Sequence, residues 1–292
     1  MVIKRSTYIK YLFLFLSPAI ILILIFKVYP LVQNLIYAIV NDDGHLTFRY
    51  FNETLHDPAF WNSSWITIKF AFITVSLEMI IGFIFALLLN AKFHGRKVMR
   101  TIFLIPWALP TAIMAVGWKF LFQQSYGPIP WLLYWLKFTK SPPYFLTDPK
   151  MSFVAIVIAD VWKTVPFVAL LILAGLQAIP EELYESMDID GASGWGKLIY
   201  LTIPLLIPTF IVTLMFRFLE AFGVFDLIWV LTQGGPGNAT MALSPYIYKK
   251  IFMWMEIHGG AATATFTALY IIVIILLIQY IRTTLKRRYG TI

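Results

Sequence analysis

The chain of 292 residues is 60% hydrophobic, 17% aromatic and only 13% charged, with a mean hydropathy of +0.77, the balance of an integral membrane protein rather than a water-soluble domain. It has no cysteine, which excludes disulfides, thiolate metal sites and cysteine nucleophiles. The net charge of +8 comes from basic residues grouped at span ends, not from the continuous basic stripe of a nucleic-acid-binding face.

A helix needs roughly 20 apolar residues to cross a bilayer. Segments of that kind lie at about 11–30, 66–89, 101–122, 152–176, 205–231 and 261–281, so the fold class is an all-α membrane protein with six transmembrane helices. The basic start, Met1 to Lys10, leads into an apolar run that could be a signal peptide. No small-residue cleavage pattern follows and Lys27-Val28-Tyr29-Pro30 prolongs the segment, so it reads as a retained span. Lys4, Arg5, Lys10, Lys92, Arg96, Lys97, Arg100, Lys197, Arg282, Lys286, Arg287 and Arg288 flank the spans on one side. Against them stand only Arg49, Lys137, Lys140, Lys150, Lys249 and Lys250 on the other, which predicts that both termini are cytoplasmic in a multi-pass protein of the cell (inner or plasma) membrane.

The first outer loop, 41–64, carries Asp42-Asp43, but Leu46 stands where a magnesium-binding DDxxD pattern needs its last acid. Three glycosylation-type triplets, starting at Asn52, Asn62 and Asn238, fall outside and occur readily by chance. Glu78 sits near the middle of the second span, where facing lipid costs roughly 2.5–3.5 kcal/mol, so it should find a partner inside the bundle. Pro106 and Pro110 should kink the third span, either to free carbonyls toward a cavity or simply to aid packing. In the loop 123–150, Trp131, Tyr134 and Trp135 fit a partly embedded interfacial helix. Span four holds Asp160 and Lys163 at i, i+3, close enough to neutralise each other, with Pro166 beyond. Span five holds Arg217 and Glu220, with Val224 on the same face and Asp226 farther along; these ionisable groups should line an interior. The glycines of Gln233-Gly234-Gly235-Pro236-Gly237 lack the Lys-Ser/Thr of a phosphate loop. Gly259, Gly260, Ala261 and Ala262 open span six with the small residues that favour close packing.

Between spans four and five lies the one long polar helix. Pro180 suits a first helical position, Glu181 and Glu182 complement the positive end of the dipole, and Asp190-Gly191 provides a stop. Glu181, Glu185 and Asp188 make an acidic face, and a second amphipathic piece runs from Trp195 to Ile203 before Pro204 and Pro208. Glu185, then Asp190-Gly191-Ala192, then nine residues to Leu201 and Pro204 resembles the EAA loop of ABC importer permeases, with Ser186-Met187 in place of the usual Ala-Ala. The third-span run Leu104-Ile105-Pro106-Trp107-Ala108-Leu109-Pro110 resembles the same stretch of sugar-type permeases. Leu231-Thr232-Gln233-Gly234-Gly235-Pro236 and the Tyr246-Ile247-Tyr248 segment are similar to the signature after span five of the MalF-type carbohydrate uptake family.

The resemblance implies a type I importer permease arranged as 1–64 (N-terminus, first span, outer loop), a five-helix core at 65–281 containing the 180–204 EAA coupling loop, and a basic tail at 282–292. It implies a second, MalG-type permease, a homodimeric ATPase holding ATP and Mg, and an extracytoplasmic sugar-binding protein as partners. It implies a sugar pathway through Asp160, Lys163, Thr164, Phe167, Arg217, Glu220, Ala221, Val224 and Asp226, with Phe167 as a stacking face. Docking on the ATPase would fall to Glu181, Glu185, Asp188, Asp190, Gly191 and Ala192, the acids being reserved for basic residues of that partner. The chain itself is expected to bind no cofactor or metal and to catalyse no reaction. A secondary transporter or channel would usually show paired halves with broken helices, and no such repeat is evident. A permease for another solute such as glycerol phosphate stays open. A membrane enzyme fits poorly, because His45, His56, His94 and His258 are scattered without metal spacing.

Overall fold

The computed structural model describes residues 5–289, with side chains described over 14–284. Lys4 lies outside the described residues, as do the side chains of Arg5, Lys10, Lys286, Arg287 and Arg288. Among the described residues the chain is helical throughout, with one isolated antiparallel bridge between Val40 and Leu46.

The first span is longer than its hydropathy core. Helix α1 (Arg5–Ile23) passes through a π-helical turn, Leu24–Val28, into α2 (Tyr29–Ile39). The widened turn sits where Pro30 lacks an N–H and its ring would collide with the carbonyl four residues back. Helix α3 (Arg49–Leu55) crosses the predicted loop, and α4 (Pro58–Asn90) begins well before its apolar run. Gly95, at φ +81°, turns the chain into α5 (Arg96–Phe103), followed by α6 (Ile105–Ala108) and α7 (Thr111–Leu121). The third predicted span is therefore not a rod: the α5–α6 and α7 segments meet at 88°. Leu109 is extended (φ −69°, ψ 136°) because the residue before a proline is pushed out of the helical region. Helix α8 (Pro128–Trp135) holds Trp131, Tyr134 and Trp135 as the aromatic pattern predicts.

Asp148 starts α9 (Pro149–Gln177) by accepting from the N–H groups of Lys150 and Met151 at 3.0 and 2.9 Å. Helix α10 (Glu181–Ile189) is the polar helix; Pro180 stands just before it rather than in its first turn. Gly191, at φ +73°, ends it, with the Ala192 N–H donating back to the Met187 carbonyl at 2.9 Å, a Schellman closure. Helix α11 (Gly194–Lys197), a second π-helical turn at Leu198–Thr202 just before Pro204, and α12 (Ile203–Phe222) form one continuous span, so the predicted separate amphipathic piece is the foot of that span. That span stops at Phe222; Gly223, Val224 and Phe225 break it, and α13 (Asp226–Leu231) packs against α7 and α9. Helix α14 (Leu243–Tyr248), a π-helical turn at Lys249–Met253 and α15 (Ile257–Tyr289) complete the chain. Counting the bent pair as one, six segments among the described residues are long and apolar enough to cross a membrane.

The chain divides into two compact units. In the first, Met1–Pro58 with Ile247–Phe266, Ala38, Ala261 and Ala262 are buried together, and a side chain on Gly260 would come within 2.3 Å of Ile251 Cγ1. The small residues at the start of the last span thus serve close packing, as their pattern predicts. His258 stacks on Tyr50 with ring centroids 4.7 Å apart. The second unit, Ala59–Tyr246 with Thr267–Ile292, carries the large apolar core. At Gly82 an added Cβ would meet Val168 Cγ1 at 2.6 Å, and at Gly175 it would meet Thr209 Oγ1 at 2.5 Å. Helix α9 is therefore in backbone-close contact with α4 on one side and α12 on another.

Candidate functional site

In the middle of the second unit three spans each contribute an ionisable side chain to one cluster. Arg217 of α12 is 2% exposed and Glu78 of α4 is 0% exposed. The guanidinium Nε donates to Glu78 Oε2 at 2.6 Å and Nη2 to Glu78 Oε1 at 3.1 Å, a two-pronged charge-assisted pair. Nη1 donates to Glu220, one turn on and half-exposed, while Asp160 Oδ2 of α9 lies 3.6 Å from Nη2. Thr164 Oγ1 is 2.6 Å from both Glu78 Oε1 and the Asp160 carbonyl oxygen and gives its one proton to either. Glu78 thus finds the bundle partner its position demands.

Lys163 does not pair with Asp160, contrary to the i, i+3 expectation. Its ammonium donates to the carbonyls of Trp107 and Leu109, both at 3.1 Å. Those are the acceptors that the break at Pro110 leaves without helical partners, and a lysine reaching across from α9 satisfies them. Phe167, one turn along α9, stacks on Trp107 with centroids 5.1 Å apart and planes 11° from parallel. One helix therefore braces the elbow twice. Beside it opens a cavity of about 230 Å³ lined by Trp107, Thr111, Asp160, Lys163, Thr164, Arg217, Glu220, Ala221 and the segment 223–227.

The polar loop leaves the end of α9 and returns at the foot of the fifth span. Tyr184 turns inward, its hydroxyl 3.0 Å from Thr202 Oγ1. Glu181 accepts from Lys92 at 2.7 Å, and Asp188 accepts from Lys197 at 2.5 Å. Lysine 92 holds the Glu181 carboxyl below its ordinary value by hydrogen bonding and by charge. Two of the three acids of the predicted face are thus engaged within the chain, whereas Glu185 is exposed. Asp190 and Gly191 are also exposed and Ala192 half-buried at the turn, and Ile189 and Trp195 are 88% and 73% exposed.

Residues 78–291 match the family model described as binding-protein-dependent transport system inner membrane component. The chain belongs to that family of ABC importer permeases. It is 44% identical over 238 residues to the trehalose/maltose transport system permease protein MalF of Thermococcus litoralis, covering 80% of each chain. It is 35% identical to the sulfoquinovosyl glycerol transport system permease protein SmoG of Agrobacterium fabrum over 92% of this chain and 90% of that one. Among solved structures it superposes with TM-score 0.82 and 25% identity on a bacterial ABC transporter involved in the import of the acidic polysaccharide alginate, covering 96% of each chain.

In the permease, the structure gathers the predicted pathway residues around one cavity, with Phe167 the exception. Trp107 and Phe225 supply the aromatic lining, while Phe167 stacks on Trp107 without itself lining the cavity. Val224 reaches the cavity from the break, not from the helical face it was expected to share with Arg217. Glu78, expected from the sequence to need a partner inside the bundle but not named among the pathway residues, holds the guanidinium in place; the one carboxylate of α4 and the one arginine of α12 were the available signal.

Proposed function

We propose that this permease is one half of the translocation pathway of an ATP-driven sugar importer, with the cavity at Trp107, Lys163, Arg217, Glu220 and Asp226 as its solute site. The observation that supports the reading is the lining: paired donors and acceptors beside one aromatic wall, in the span on either side of the polar loop. Hydroxyls of a sugar both donate and accept, so carboxylates and a guanidinium fixed side by side bind them in pairs. Relatives named for trehalose, maltose and lactose transport point to the same solute class.

The other half is a second, MalG-type permease, the motor a homodimeric ATPase that holds ATP and Mg²⁺, and solute arrives on an extracytoplasmic binding protein. Basic residues at 92–100 and at Lys197 support a cytoplasmic polar loop and cytoplasmic termini. The α10 helix, with Glu185, Asp190, Gly191, Ala192 and the bare Ile189, seats in the ATPase. Closure of the ATPase displaces α10, and because α9 and the fifth span enter and leave the loop directly, they carry the motion to the cavity. This chain contributes no bond chemistry. Co-reconstitution with its partners should give ATP-dependent uptake of labelled trehalose or maltose that Arg217→Met abolishes. Uptake driven by an ion gradient through the purified chain alone would overturn the reading.

A further inference from the structure

On the far side of α9 from the ionic cavity lies a second, larger hollow of about 600 Å³ whose walls are apolar. Leu77 and Phe85 of α4, Ile102 and Pro106 of the elbow, and Ile158 and Val161 of α9 form it. We propose that this crevice is a binding site for an anionic phospholipid, one acyl chain lying in the crevice and the headgroup phosphate held by Arg96 and Lys97.

Three observations carry the assignment. The first is direction. At about 100° per residue, Asp160, Lys163 and Thr164 mark one face of α9, and the crevice residues centre roughly 150° around the helix from it. If that ionic face borders the pathway, on which this inference rests, the second permease half closes that side and leaves the crevice to lipid. The second is chemistry: no charged side chain lines the crevice, so it offers a hydrocarbon chain the surroundings it has in the bilayer.

The third is the charge next to it. Helix α5 is strongly two-faced, with Arg96, Lys97 and Arg100 on one side and the exposed Val98, Met99 and Ile102 on the other, the pattern of a helix lying in a membrane interface. Arg100 is already committed: it donates to the Leu89 carbonyl at 3.2 and 2.7 Å and, with the Gln177 amide oxygen turned toward it, to Gln177 at 3.0 and 2.9 Å. Arg96 and Lys97 are exposed and, among the described residues, form no ion pair. With α5 lying in that interface, its basic side stands at headgroup level while Ile102, about 7.5 Å along the axis from Lys97, turns to the hydrocarbon and the crevice. Basic residues beside a gap between spans are a recurrent recognition element for acidic lipids.

The test is native mass spectrometry of the full-length chain released from nanodiscs of equal parts phosphatidylglycerol and phosphatidylcholine. The expected result is one retained lipid, phosphatidylglycerol favoured about tenfold or more, since each basic residue contributes about fivefold. Arg96→Ala with Lys97→Ala should bring the two lipids near parity, and Val161→Trp, which fills the crevice, should lose both. A photoactivatable phosphatidylglycerol should attach to the crevice walls of the unaltered chain, which keeps the proposal testable if Val161→Trp misfolds. Equal retention of both lipids by the unaltered chain overturns the proposal. So does an Ile158→Cys probe, in a chain otherwise free of cysteine, that cross-links to a second permease instead of lipid. Lipid retention is read without transport, so a failed uptake assay and a failed lipid site are separate results.

Discussion

Glu78→Ala tests the organising role of the ionic cluster. The carboxylate it removes is 0% exposed and accepts both Nε and Nη2 of an arginine that is itself 2% exposed. Deleting one member of a buried pair costs about 3–5 kcal/mol, because the remaining charge stays in low dielectric. Here Glu220 keeps hold of Nη1 and Asp160 stands 3.6 Å from Nη2, so the loss belongs at the lower end, about 3 kcal/mol. Glu78→Gln retains one acceptor and should cost about 1.5 kcal/mol, the worth of one charge-assisted bond. The paired change Glu78→Met with Arg217→Met removes both charges at similar bulk and should restore most of the stability, while uptake stays abolished because the cavity has lost its guanidinium. Thermal unfolding of the detergent-purified chain, run as a double-mutant cycle, reads the coupling. Strictly additive single and double variants, or a Glu78→Ala chain as stable as the original, would refute the buried-pair account.

Glu185→Lys should leave unfolding and membrane insertion unchanged, because the side chain is exposed, and should cut ATP-coupled uptake by roughly tenfold or more; equal uptake removes α10 from the coupling step. Lys163→Met should uncap the Trp107 and Leu109 carbonyls and destabilise by about 1–3 kcal/mol, whereas Lys163→Arg, which still donates, should recover most of it. Because Lys92 depresses the Glu181 carboxyl, their exposed pair contributes at neutral pH and fades as pH falls through that lowered value. Lys92→Ala and unaltered chains should then converge in unfolding midpoint at acid pH or in molar salt, and a difference that persists in both would mean Lys92 acts otherwise.

The spans were legible because bilayer thickness imposes a length on apolar runs, and the polar loop because its acids, Gly191 and the prolines each carry a local backbone consequence. The charged faces of α9 and α12 were legible for the same reason: an ionisable group in hydrocarbon must turn inward. What local spacing leaves undecided is the partner. Asp160 and Lys163 stand within reach of each other, yet Arg217 arrives from another span and the freed elbow carbonyls from a third, and these tertiary partners win. Asp188 looked available to an outside partner because Lys197, nine residues on, reaches it only once the Gly191 turn folds the chain back. The helical break at 223–225 is hidden too, because its residues are as apolar as those before it.

The energies separate the parts of the cluster that must move together from those free to respond. Arg217, Glu78 and Thr164 tie α12, α4 and α9 through buried contacts whose loss costs about 3–5 kcal/mol, so the rearrangements of lower cost are those that keep them. At Gly82 and Gly175 side chains of α9 and α12 press so closely on the neighbouring helix that no Cβ would fit, and sliding meets atoms at once. On the coupling proposed above, the three spans shift as one body when the loop at their end is pushed. Adjustment is left to groups at the edge of that body: the half-exposed Glu220, Asp226 at the start of α13, and Lys163 on the elbow carbonyls. On the proposed pathway a solute entering the cavity meets those three directly, and Lys163 is the one whose release would also free the elbow. That proposal links solute binding and opening of the third span through a single ammonium group, a coupling that Lys163→Met should erase and Lys163→Arg preserve.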